Sequence, residues 1–126
     1  MYLLIDNTID GQVVFYYSLN TEWVQRVFQP VQDGRLLYYL DRLLFELGIK
    51  KGQLQGLAVR VGQGRFTGTR VAVTVANTLA LAEQIPVVGV IGPGTADLKE
   101  IIQSAPVGQY VSAKYSGEAK IGRRKK

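Results

Sequence analysis

A chain of 126 residues, 47% hydrophobic and 20% charged, has the balance of one globular domain with room for one core. It contains no cysteine and no histidine. That excludes disulfides, thiolate metal sites and cysteine nucleophiles, and it removes the commonest general base and metal ligand together. The net charge of +5 is concentrated at the end, where Lys114, Lys120, Arg123, Arg124, Lys125 and Lys126 accompany one acid, Glu118. Arg123–Lys126 are therefore candidate RNA-phosphate contacts, set against the simpler reading of a solvated terminus. The opening Met1–Asp6 is apolar for only a few residues and lacks a basic start, and no run approaches the ~20 apolar residues of a membrane span. The sequence reads as a cytoplasmic protein with no membrane association.

Tyr2–Asp6 reads as a short buried strand, followed by the turn signal Asp10-Gly11. Gln12–Leu19 and Glu22–Phe28 are rich in Val, Phe, Tyr and Trp, and the short links between them predict an antiparallel meander. A helix is expected over about 33–47, with Asp33 as N-cap and Gly48 as stop. Leu36, Leu40, Leu43 and Leu47, widened by Leu37 and Leu44, form its core stripe. Tyr38 and Phe45 fall on the far side among Asp41, Arg42 and Glu46, which marks that side as a contact surface or a face covered by a loop.

Gly56–Val61 is a fourth strand, and Gly62–Gly68 is a glycine-rich loop. A second helix is expected over 67–84. Gly68, Ala72, Ala76 and Ala80 recur every four residues along it, a ridge that lets another element approach closely. Its apolar arc also takes in Val71, Val73, Val75, Leu79 and Leu81 and spans more than half the circumference. Such a helix is covered on two sides, by its own sheet and by either the first helix or a second protein. Pro86–Ile91 is a buried strand, Thr95 is the expected N-cap of a third helix ending near Ser104, and 108–115 is extended. The domain is expected over 1–106, with a C-terminal segment and basic tail over 107–126. The order βββαβαβα is that of the ribonuclease-H-like α/β fold of the actin and heat-shock ATPase superfamily, with a mixed sheet.

The chemistries of that fold make demands that the sequence can answer. A two-metal nuclease needs several carboxylates at the strand ends. Asp6 is suitably placed, but the fourth strand ends Val59-Arg60-Val61-Gly62 with no acid. No metal site is expected. The ATPases need two such domains, and Asp6-Asn7-Thr8 lacks the glycines of a phosphate turn. The Gly62–Gly68 loop can cradle an anion at a helix N-terminus or be a tight turn requiring positive φ; it is not a Walker A loop.

Gly62-Gln63-Gly64-Arg65-Phe66-Thr67-Gly68-Thr69-Arg70 resembles the GxGxFTGxR-type signature of the TsaB (YeaZ) family. Gly62, Gly64, Phe66, Thr67, Gly68 and Arg70 carry that likeness. Leu4-Ile5-Asp6-Asn7-Thr8, Leu57-Ala58-Val59, Ala76-Asn77-Thr78-Leu79-Ala80 and Ile85–Val90 are similar to its flanks, so the resemblance covers roughly 1–92. It implies a noncatalytic, cofactor-free partner of the TsaD-type enzyme, acting with a TsaE-type ATPase in the threonylcarbamoyl modification of tRNA adenosine. In that family the first two helices pair with those of TsaD or of a second TsaB. Carried onto this chain, the expected interface is Tyr38, Arg42 and Phe45 from the first helix, with Thr69, Ala72, Val73, Ala76 and Ala80 from the second. Typical members are longer, and they have a histidine near the start of the first helix that is missing here. The alternatives are a tRNA-binding accessory module acting through the basic tail and a nucleotide-binding protein using Asp6 and the Gly62 loop.

Overall fold

The computed structural model describes residues 1–29, 36–62 and 66–112, with Phe66 described by its backbone alone. The elements follow the expected order: β1 (Tyr2–Asp6), β2 (Val13–Ser18), β3 (Val24–Phe28), α1 (Leu36–Leu47), β4 (Gly56–Arg60), α2 (Phe66–Glu83), β5 (Val87–Val90) and α3 (Leu98–Ser104). They build one mixed sheet of order β3-β2-β1-β4-β5. The short links of the meander make β1–β2 and β2–β3 antiparallel. The helical crossovers make β1–β4 and β4–β5 parallel.

Alternation along the strands divides the core in two. Leu3, Ile5, Phe15, Leu57, Val59 and Val87 turn to the face covered by α1 and α2. Leu4 and Ala58, flanked by Val88 and Val90, turn to the other face and pack with Leu98 and Ile102 of α3. Gly56 at the start of β4 leaves room for Ile102 of α3 against the sheet. A Cβ there would collide with Cγ2 of Ile102 and press on the Tyr2 ring.

In α1 the buried residues are Leu36, Leu40, Leu43 and Leu44. Leu37, expected to widen that stripe, is instead 51% exposed, because the sheet covers a narrower arc than the apolar pattern offers. Gly48 ends the helix as expected, at φ +67°. Its N–H donates to Phe45 O at 3.1 Å, and the Ile49 N–H donates to Leu44 O at 2.9 Å. The Asp33 N-cap lies outside the described residues.

The third helix begins at Leu98, later than expected. Thr95 is not its cap. The Thr95 carbonyl closes a turn by accepting the Leu98 N–H at 3.1 Å, and Asp97 is left-handed at φ +57°, which interrupts any helix begun earlier. Residues 108–112 form no strand. The remainder of the stretch expected to be extended, 113–115, lies outside the described residues, as does the basic tail Arg123–Lys126.

Candidate functional site

Two places in the fold bear on function: the C-terminal ends of β1 and β4, and the outer faces of α1 and α2. At the strand ends Asp6 faces Arg60 from the neighbouring parallel strand. Arg60 Nε donates to Asp6 Oδ2 at 3.3 Å, and the two side chains are only 7% and 12% exposed. Asp6 Oδ1 accepts the Thr8 N–H at 3.0 Å and the Thr8 hydroxyl at 2.6 Å, which fixes the turn after β1. Nη1 of Arg60 donates to Gly92 O and, at 3.2 Å, to Gly94 O. One guanidinium thus ties β1, β4 and the loop after β5 together, beneath a cavity of about 490 Å³ bordered by Ile9, Tyr16 and Pro93.

A divalent cation at Asp6 would have to displace a buried guanidinium that already satisfies the carboxylate. Among the described residues no three His, Cys, Asp or Glu side chains gather to bind a metal. Arg60 was legible only as a missing acid. The signal for its role was one charge inside an otherwise apolar strand, since a buried charge requires a partner.

The glycine-rich loop is described only at its ends. Gly62 has φ +102°, which suits a turn closed to L side chains. Gly68 is buried, and its carbonyl accepts Asn7 Nδ2 at 3.0 Å, pinning the start of α2 to the end of β1. Thr67 and Arg70 are exposed on the first turns of α2. Gly64 lies outside the described residues, and the Phe66 side chain is not described.

The outer face of α1 carries Leu37, Tyr38 and Phe45, with Phe45 85% exposed. Arg42 sits beside them, its Nε 3.4 Å from Glu46 Oε2. Glu46 is itself gripped by Arg26 of β3, whose Nε and Nη2 each donate at 3.1 Å. Those bonds hold the Glu46 carboxyl below the usual glutamate range, Arg26 contributing most and Arg42 less. Arg26 also stacks over the Phe28 ring at 3.9 Å, so the polar side of α1 is fastened to β3.

The second half of the expected interface requires correction. Thr69, Ala72, Val73, Ala76 and Ala80 are at most 2% exposed, packed within the chain's own core. The small-residue ridge is the side on which α2 lies against β4 and β1, because small side chains let the helix axis come close to the sheet. The outer side is instead Thr67, Arg70, Val71, Thr74 and Val75, which border a shallow, mostly apolar groove of about 420 Å³. The threonines were the available signal, since Thr67, Thr74 and Thr78 mark the side that faces water.

Among the described residues no helix is long and apolar enough to cross a membrane. The model of the family described as TsaD, tRNA N6-adenosine threonylcarbamoyltransferase, matches residues 33–115. The tRNA threonylcarbamoyladenosine biosynthesis protein TsaB of Haemophilus influenzae is 29% identical over 87 residues, a match covering 68% of this chain and 37% of that protein. The protein of the same name in Escherichia coli is 33% identical over 82 residues, covering 64% and 32%. The chain thus spans about a third of the length of the curated relatives it matches. Among solved structures, YeaZ from Pseudomonas aeruginosa superimposes with a TM-score of 0.63 at 28% identity, covering 71% of this chain and 44% of its own. A second structure, described as an uncharacterized protein with similarity to peptidase YeaZ from Pseudomonas aeruginosa, gives 0.62 at 27% identity, covering 71% and 42%. These likenesses and the sheet order give the ribonuclease-H-like fold expected from the order of elements. The chain belongs to the TsaD family, and within it the chain is TsaB/YeaZ-like.

Proposed function

We propose that this chain serves in tRNA threonylcarbamoyladenosine biosynthesis as a noncatalytic subunit that docks onto a TsaD-type enzyme through the outer faces of α1 and α2. The observation that carries this reading is the exposed apolar set Leu37, Tyr38 and Phe45, on a helix whose inner face is already filled by leucines. The groove along Thr67, Val71, Thr74 and Val75 extends the surface onto α2. Tyr38, Arg42 and Phe45 are the contacts from α1. Val71, Thr74 and Val75 take the place of the five buried residues of α2. The noncatalytic role is supported by the lack of any histidine and by the guanidinium that occupies Asp6.

An apolar face left empty tends to pair with its own copy, so the same surface gives a homodimer when the chain is alone. The test is co-expression with a TsaD-type protein from the same source, followed by size exclusion. A one-to-one complex is expected, weakened at least tenfold by Phe45→Glu and by Val75→Glu, with circular dichroism of both variants unchanged. A complex indifferent to both substitutions, or none with the parent chain, overturns the reading.

Association with a TsaE-type ATPase and contact between tRNA and Arg123–Lys126 belong to the same proposal. The tail contact predicts tRNA affinity that falls steeply with salt and is lost when 123–126 are deleted.

A further inference from the structure

Among the described residues strand β5 is outermost. The Leu57 N–H donates to Pro86 O at 2.9 Å, and the Val61 N–H donates to Val90 O at 2.8 Å. Those bonds turn Pro86, Val88 and Val90 toward β4. By the two-residue repeat of a strand, the N–H and C=O of Val87 and Gly89 point outward, away from the sheet. From Val87 to Val90 there is no charge and no proline, the residues that ordinarily blunt such an edge. Gly89 has no side chain to hold another backbone away.

What guards this edge is the chain after α3. Helix α3 packs on the face of Leu4 and Ala58, whereas Val111 packs against the opposite cluster, with α1 and α2. Residues 105–111 therefore cross from one face of the sheet to the other around β5, turning at Gly108, φ +99°. The crossing is fastened to α2 by Asn77. Asn77 Nδ2 donates to Val111 O at 2.7 Å, and the Val111 N–H donates to Asn77 Oδ1 at 2.9 Å. The side-chain amide of a helix thus gives this residue both of the hydrogen bonds a neighbouring strand would give. The crossing segment does not itself pair with β5. A groove of about 380 Å³ separates them, bordered by Val87, Val88, Gly89, Ala105, Gln109 and Tyr110.

We propose that residues 105–111 are a strap latched by Asn77 over the β5 edge, and that releasing the latch lets this edge pair with β5 of a second copy of the chain. The second copy is the occupant because the edge is self-complementary. An antiparallel pairing centred on Val88 sets Val87 of each copy opposite Gly89 of the other. Each such pair exchanges two N–H···O=C bonds, leaving none of these outward groups unpaired. The proposal rests on the edge and the strap and is independent of the docking face on α1.

The test is made in a Phe45→Glu background, so that association through α1 does not contribute. Asn77→Ala removes both latch bonds, and Val111→Pro removes the N–H from the strap without altering α2. Sedimentation across micromolar concentrations is expected to show a monomer for the background and a monomer–dimer equilibrium for both variants. In dilute solution the Gly89 amide, which the strap does not bond, should exchange in the variants as in the background, and it should become protected as the dimer forms. Adding Gly89→Pro, which removes an outward N–H, should return the variants to monomer. Folded variants that stay monomeric across that concentration range overturn the proposal, as does a dimer that leaves Gly89 unprotected or survives Gly89→Pro. If Asn77→Ala disrupts α2, Val111→Pro alone decides.

Discussion

Arg60 and Asp6 form a buried ion pair between adjacent parallel strands, at the sheet end where the chemistry of related folds is carried out. The pair is one node of a larger tie, since the same guanidinium also holds the carbonyls of Gly92 and Gly94. Breaking one partner of such a pair leaves a charge in the interior without its counter-ion. Arg60→Met is expected to lower stability by about 3–5 kcal/mol. The double variant with Asp6→Asn, which removes both charges, should recover at least half of that loss. Chemical denaturation of the two proteins checks it, and a double variant no better than the single one contradicts the assignment.

The phase of α2 makes a sharp contrast between neighbouring residues. Ala76 is fully buried against the sheet, while Val75 borders the outer groove. Ala76→Arg places a long cation in a packed interior and is expected to cost more than about 4 kcal/mol, enough to prevent folding of a small domain. Val75→Arg should leave the melting temperature within a few degrees of the parent chain. Thermal melts followed by circular dichroism distinguish the two, and equal tolerance of both would place the helix in the wrong rotation.

Gly56 is needed for space. Its backbone lies beneath Ile102 of α3, which a methyl group there would meet. Gly56→Ala is expected to destabilise the fold by about 1–3 kcal/mol through overpacking. Ile102→Ala removes the colliding atom, so the double variant should lose less than the sum of the two single losses. Strict additivity in a double-mutant cycle contradicts the close approach.

Glu46 ties α1 to β3 through Arg26, and its carboxyl is held below the ordinary glutamate value. A carboxylate whose folded pKa is depressed adds stability that is fully present above its unfolded value and is lost as pH falls through the folded one. The parent chain should therefore melt slightly above Glu46→Gln at neutral pH. The gap should close as the solution is acidified past the usual carboxylate range, and added salt should narrow it at neutral pH, since the pair is on the surface. Melting temperature against pH for the two proteins tests this, and a gap unchanged in acid refutes it.

Much of the architecture was readable because it rests on local rules. The meander follows from strand-forming runs with short links, and the inner face of α1 from leucines at helical spacing. The end of α1 at Gly48 follows from a residue able to adopt positive φ. The exposed positions of Tyr38 and Phe45 came from the same helical phase. The start of α3 was misplaced because a left-handed Asp97 is decided by the packing of the loop before it rather than by residue preference. The rotation of α2 was misjudged for a different reason. A helix apolar over more than half its girth, with a ridge of glycine and alanine, satisfies equally a sheet beneath it or a helix beside it.

What the sequence determined alone was the order of elements, the leucine face of α1, the absence of histidine and cysteine, and a motif that resembles one family. Tertiary structure decided which side of α2 met the sheet, that Arg60 reached Asp6, and that Asn77 fastened a segment thirty-four residues further along the chain. The physical reason is range. Periodicity and turn preference act within a few residues, whereas the partner of a buried charge or amide is chosen by which distant strands and helices the closed fold brings within hydrogen-bonding distance.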